Sequence, residues 1–290
     1  MSLIKKPEEQ PIKKTILGGI YGQPGIGKST VALSLPRPLL IDVDHGLHRV
    51  QAEYRCPSVR VESYADVVNV LKEDLSEFDT ICIDTLGKLI DFMCDQAVKE
   101  NPKLAQSDGT FSQKGWGVVK NYFKQLVKDL ERLDKNLVFV AHEKEERQGD
   151  EKYIRPDVSG SSGKDIVKEF DFMGYMEMIG RKRSITFSPS SKVYAKNSLN
   201  LSDYVEVPTL NKGDKNTFLT DYILNPELER RKNEFKTSGD YDKILAQAKE
   251  IILKEGITEE SKKKLRELPK INDSQLKIKA MIDEASKKTA

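Results

Sequence analysis

The sequence predicts an α/β fold, a mostly parallel sheet with helices on both faces. Three observations carry this. Between Thr15 and His142, apolar runs of strand length alternate with segments of helical periodicity. The runs are nearly continuous rather than polar at every second residue, as in strands covered on both faces. Between the first run and the first helical segment stands GQPGIGKS, Gly22 to Ser29, a full match to G-x-x-x-x-G-K-[ST] in a strand–loop–helix setting.

The elements follow in order. TILGGIYG is strand-like, and STVALSL is a short helix stopped by Pro36. PLLIDVD is a second strand. In SYADVVNVLKEDL, Val67, Val70 and Leu71 recur at helical spacing behind Ser63, an N-cap residue. FDTICIDT is a third strand and GKLIDFMCDQAVKE a helix. A loop, NPKLAQSDGTFSQKG, leads into the longer helix WGVVKNYFKQLVKDLERL and the fourth strand NLVFVAH. After His142, EKEERQGDEKYIRPDVSGSSG has no apolar periodicity and reads as a functional or mobile loop. RKRSITFSPSSKVYAKN reads as a hairpin turning at Ser188-Pro189-Ser190-Ser191. From about Asn225 the chain is rich in Lys, Glu and Leu at helical spacing. The expected organisation is a flexible arm over 1–14, a nucleotide-binding core over 15–224 and a charged helical region over 225–290.

Composition narrows the function. With 38% hydrophobic residues the 290-residue chain can build a core, and a net charge of +2 confines any nucleic-acid affinity to local patches. The three cysteines lack metal-ligand spacing, which suits a reducing compartment. No apolar window of about 18 residues occurs, so a cytoplasmic protein that neither crosses a membrane nor is secreted is expected. His45, His48 and Cys56 match no usual zinc pattern.

The motif itself implies phosphate chemistry. Its glycines, Gly22, Gly25 and Gly27, let successive N–H groups converge on phosphate oxygens, with Gln23, Pro24 and Ile26 completing the loop. The helix opening at Lys28 adds its positive end. Lys28 is expected to reach the β- and γ-phosphates of ATP, Ser29 to coordinate Mg²⁺, and Thr30 to touch the α-phosphate. Asp84, ending TICIDT, is the second Mg²⁺ residue, acting through water. Hydrolysis also needs a group that orients water. The residue after Asp84 is Thr85, not an acid, so the carboxylate must come from another strand or the protein only binds nucleotide. LLIDVDHG supplies one. Asp42 and Asp44, two residues apart in that strand, are expected to share a face, and the strand ends at the ligand-binding edge of the sheet. Asp44 is the candidate base and Asp42 its structural neighbour.

The order GQPGIGKST, LLIDVDHGL, TICIDT, LVFVAH resembles the RecA-type recombinase core. More narrowly, it resembles phage-encoded RecA-like P-loop proteins of the single-strand annealing group, over residues 15–224. The resemblance implies that Asp44 is the catalytic acid, Asp84 the magnesium acid and Thr85 a water-positioning residue. It makes His142 the sensor of the γ-phosphate and Lys196, in KVYAKN, a finger reaching a neighbouring subunit's ATP. Aspartate where the family has glutamate shortens the reach at 44 by one methylene, which points to slow turnover. The implied function is DNA recombination or annealing by an ATPase that assembles on single-stranded DNA as a ring or filament, beside a single-strand-binding protein, in a bacterial or phage-infected cell. The alternative is a helicase-loader-like nucleotide switch or other replication accessory acting through protein partners. Lys144, Arg147, Lys152, Tyr153, Arg155 and Lys164 suit a loop that tracks single strands, although acids are interspersed. Arg181, Lys182 and Arg183 form a denser basic cluster suited to the phosphate of DNA or of a neighbour's ATP.

Overall fold

In the computed structural model of the protein, residues 12–106, 110–158 and 167–233 are described, with Ala246, Glu250, Lys262 and Lys263. Lys14–Glu227 form one compact unit; Met1–Lys13 and Leu228–Ala290 form a second. In the second, residues 228–233 are helical. Most of the expected N-terminal arm, most of the expected C-terminal helical region and Lys164 lie outside the described residues.

The larger unit opens with β1 (Leu17–Gly22), whose apolar run ends at the glycine-rich loop, and α1 (Lys28–Ala32). Next come β2 (Pro38–Asp42), the short β3 (Ser58–Arg60) and α2 (Tyr64–Val70). Ser63 caps α2 by accepting the Asp66 N–H, as its sequence position predicts. β4 (Thr80–Asp84), α3 (Leu86–Glu100) and α4 (Gln113–Glu131) follow, α4 capped by Ser112. The last segments are β5 (Asn136–Gln148), β6 (Glu151–Pro156), β7 (Phe172–Ile179), β8 (Lys182–Thr186), β9 (Lys196–Asn197) and β10 (Tyr204–Glu206).

Among the described residues the sheet runs β10-β8-β7-β1-β5-β4-β2-β3, with β6 on β5 and β9 on β7. The block from β7 to β3 is parallel; β6, β8, β9 and β10 join antiparallel. The fold is therefore the α/β class expected. Period-2 alternation divides each central strand between two cores. Tyr21, Ile41, Ile83 and Phe139 pack with Leu89, Met93 and Phe123 of α3 and α4. The intervening Ile20, Leu40, Cys82 and Val138 are equally buried. They face the α1 side, where the Cys82 thiol donates to the Ala32 carbonyl at 3.3 Å. Burying each such side chain contributes about 1.5–3 kcal/mol. The register sets the functional edge: Gly22 lies beside His142, and Asp84 beside Asp42 and Val140. One strand, β5, separates the loop strand from the acid strand.

Two expectations are corrected. The described part of the polar segment after His142, to Val158, is a hairpin rather than a loop. β5 continues to Gln148, turns at Gly149-Asp150 and returns as β6, pairing Glu143 with Pro156 through to Gln148 with Glu151. Gly149 takes a left-handed φ of 64°, as a two-residue hairpin turn requires. The hairpin expected to turn at Ser188–Ser191 turns instead at Gly180-Arg181, with Ile179 opposite Lys182 and Gly180 at φ 63°. Residues 188–195 leave the edge of β7 between β8 and β9, because β9 pairs Phe172 and Met173 further along the same strand.

Candidate active site

The loop after β1 is shaped by contacts that tolerate no side chain. Gly22 has φ 155°, and a Cβ there would lie 2.2 Å from the Met176 carbonyl oxygen of β7. Gly27, at φ 100°, precedes α1. The Lys28 side chain folds back over the loop, its ammonium donating to the Gly22 and Gln23 carbonyls at 2.9 and 2.7 Å. Burial lowers the Lys28 pKa, against the pull of Asp84 and Glu143. Ser29 donates its hydroxyl to Asp84 Oδ2 at 2.5 Å. Thr30 faces the same cavity, and its carbonyl accepts from Asn216 Nδ2 at 2.7 Å.

Asp84 ends β4 and is 8% exposed. Burial pushes its carboxyl up. Ser29 and Lys28 pull it back, while Asp42 and Asp44 push it further up. Its carbonyl oxygen accepts both the Val43 and the Asp44 N–H, at 2.8 and 3.0 Å, which ties the two acidic segments together. Thr85 is buried and follows a cis peptide bond at the start of α3.

Asp42 and Asp44 do not share a strand face, because β2 ends at Asp42. The Asp42 carboxylate accepts the Gly46 and Leu47 N–H groups at 2.8 and 3.1 Å and holds the turn after the strand. Asp44 enters the cavity. Arg49 Nη1 donates to its Oδ2 at 2.9 Å, and Lys88 Nζ lies 3.6 Å from Oδ1. Burial raises the Asp44 pKa, but Arg49, Lys88 and His142 outweigh it and hold the carboxyl below its ordinary value.

These groups line one cavity of about 300 Å³, which Lys28, Ser29, Asp44, Arg49, Asp84 and His142 all reach. Among the described residues His142 Nδ1 is buried with no hydrogen-bond partner, an open valence at the rim of the phosphate loop. The His142 carbonyl accepts the Asp157 N–H at 2.7 Å, so the β5–β6 hairpin closes on this residue. Lys196 lies elsewhere. Its ammonium donates to the Lys168 carbonyl at 2.5 Å, and it does not line the cavity. The ring nitrogens of His45 and His48 face the carbonyls of Val61 and His45.

Arg49 and Lys88 escaped the sequence reading. Their one trace in the chain is spacing, five residues after Asp44 and four after Asp84. Among the described residues no helix is long and apolar enough to cross a membrane.

A family model described as an AAA domain matches residues 14–199. Among solved structures, the crystal structure of the RadB recombinase is similar at TM-score 0.38 and 11% identity, over 59% of this chain and 79% of that one. A similarity this remote assigns no residue a role. No curated protein matches the chain.

Proposed function

The chain belongs to the AAA-domain family whose model spans residues 14–199, and on that premise we propose that it is a RecA-like ATPase whose turnover is coupled to single-stranded DNA. The observation that carries the proposal is the convergence of Lys28, Ser29, Asp84, Asp44 and His142 on one cavity at the carboxyl edge of the sheet. The loop from Gly22 to Thr30 binds the phosphates of ATP. The donor set also fits Mg²⁺: a serine hydroxyl and a buried carboxylate in contact, beside a lysine. Ser29 and Asp84 hold the metal, which when bound neutralises charge on the β- and γ-phosphates.

The protein's own residues then divide the work. Lys28 leaves the Gly22 and Gln23 carbonyls for phosphate oxygens. Asp44, with its pKa held low, orients and polarises water rather than keeping its proton. His142 offers its unpaired ring nitrogen to the γ-phosphate and carries the contact into the hairpin through its carbonyl and Asp157. Tyr21, in the strand before the loop, donates to the Tyr194 carbonyl at 2.6 Å and faces the Ile154 carbonyl of β6 at 3.4 Å, a second link between loop and hairpin. Lys196 is assigned to a neighbouring subunit in a homo-oligomer, where it would exchange the Lys168 carbonyl for phosphate.

The hairpin is the single-strand interface of this reading. Strand alternation puts Lys144, Tyr153 and Arg155 on one face, and the Arg155 guanidinium lies 5.1 Å over the Tyr153 ring. That face combines a stacking platform with cations for the backbone. Glu146 and Glu151 share it, which favours as second reading a protein partner of mixed charge. ATP turnover with and without single-stranded DNA, with particle size followed in parallel, separates the two. DNA-stimulated turnover and growth of the particle support the first reading; an unchanged rate with no ATP-dependent DNA binding refutes it.

A further inference from the structure

Among the described residues, the proposed mechanism leaves Arg183, a cation beside the phosphate loop, unused. Arg183 lies in β8, opposite Met178 of β7, and its carbonyl accepts the Val207 N–H at 2.8 Å. Its backbone is thus fixed from both sides in an antiparallel edge. From there the guanidinium reaches across to the loop: a Cβ built on Gly27 would lie 2.9 Å from Arg183 Nη1. The group occupies space that only glycine leaves open at that position. Arg183 is half-buried, and its guanidinium has no hydrogen bond or ion pair among the described residues. Its neighbour Lys182, in contrast, is paired with Glu206 at 2.8 Å.

A half-buried guanidinium with no anion beside it among the described residues, set against the glycine-rich loop at Gly27, is electrostatically unfavourable until an anion arrives. The anion that belongs on this loop is a phosphate chain. We propose that Arg183 contacts the phosphates of the ATP bound by its own subunit and stabilises the charge that develops when the terminal phosphate is cleaved. This rests on the reading of the cavity as an ATPase site. In the step, the oxygen of water bonds to the γ-phosphorus and the bond to the β–γ bridging oxygen breaks, its electron pair leaving with ADP. The proton of water passes to the released phosphate. Arg183 neither gives nor takes a proton; its fixed charge matches the oxygens on which negative charge grows. The basic cluster read from sequence as facing DNA or a neighbour therefore has one member turned to the subunit's own loop.

The test uses Arg183→Ala and Arg183→Lys in the full chain. Turnover is measured together with binding of ADP and of a non-hydrolysable ATP analogue, each with Mg²⁺. Arg183→Ala is expected to lower turnover about 100-fold or more while ADP affinity stays within about threefold and the melting temperature is unchanged. Arg183→Lys should fall between, since a point charge replaces a planar fork. Turnover of the alanine variant within threefold of wild type overturns the proposal, as does an equal loss of ADP binding and thermal stability, which marks a structural role. Mixing Arg183→Ala with Lys28→Ala, which keeps Arg183 but lacks the loop lysine, decides whose ATP is served. No recovery of activity is expected; recovery would show action on a neighbour's nucleotide and overturn the assignment. If wild type turns over no ATP, the ATPase reading fails separately, and Arg183 is judged by binding alone. A tenfold smaller preference for the ATP analogue over ADP in the alanine variant supports it, and an unchanged preference overturns it.

Discussion

Replacing Asp84 by Asn should stabilise the protein and abolish its function together. Asp84 is 8% exposed and ends β4 close to Asp42 and Asp44. Ser29 and Lys28 favour its charged form, but burial and the two neighbouring acids outweigh them, so its pKa is raised. Asn keeps the shape and an oxygen for the Ser29 hydroxyl, and removes the charge. A raised carboxyl pKa means that the charged form costs the folded state stability, so Asp84→Asn should melt at a higher temperature than the wild type at neutral pH. The sign of the pH dependence follows from linkage. A carboxyl whose folded pKa lies above its unfolded value makes the wild type lose stability as pH rises between the two. The advantage of Asn should therefore be absent at pH below the ordinary carboxylate range, appear just above it and stay constant to neutrality. The assay is thermal unfolding of both proteins, without nucleotide, across that range. A lower Tm for Asp84→Asn at neutral pH, or an advantage that grows on acidification, refutes the reasoning. With Mg²⁺ and ATP at about 100 times Kd, the wild type should gain about 2.7 kcal/mol; Asp84→Asn should lose the magnesium-dependent part of that gain.

Three further outcomes follow from the same geometry. Arg49→Ala removes the hydrogen bond that holds the Asp44 pKa low, so the acid limb of the rate–pH profile should move to higher pH; a limb that stays put or moves lower contradicts this. Gly22→Ala sets a methyl 2.2 Å from the Met176 carbonyl at φ 155° and should cost at least about 2 kcal/mol in chemical denaturation, with loss of nucleotide binding; a neutral effect would show that β7 is free to move. Tyr153→Ala should weaken single-stranded DNA binding by about 1–3 kcal/mol, roughly 5- to 150-fold, read by fluorescence anisotropy; unchanged affinity removes Tyr153 from the interface.

The parts of the fold legible in the sequence are those specified locally. The run TILGGIYG followed by GQPGIGKS contains its own strand, turn and helix start, and TICIDT ends at its acid. Asp44 was reachable because Thr85 left the site short of a carboxylate. The β5–β6 hairpin was not legible, because strand pairing is usually read from an apolar face and this ribbon has none: Glu145, Arg147 and Lys152 share one side, Lys144 and Glu146 the other. The turn Gly149-Asp150 was the one trace it left. The β7–β8 turn was missed because Ser188-Pro189-Ser190-Ser191 is the richer turn sequence, whereas pairing along β7 placed the reversal at Gly180. Lys88 and the orientation of Arg183 depend on how distant segments meet, and Arg49 on the irregular turn that follows β2; neither periodicity nor motif pattern encodes these.

The central claim is that Asp44, across the cavity from the phosphate loop, does the work that an acid beside Asp84 would otherwise do. Steady-state ATP turnover by Asp44→Asn, at saturating Mg²⁺ and ATP and with ADP binding measured alongside, tests it most directly. A loss of about 100-fold or more in turnover with ADP affinity kept is the predicted result. Turnover equal to wild type would contradict the account and assign the orienting group to another residue.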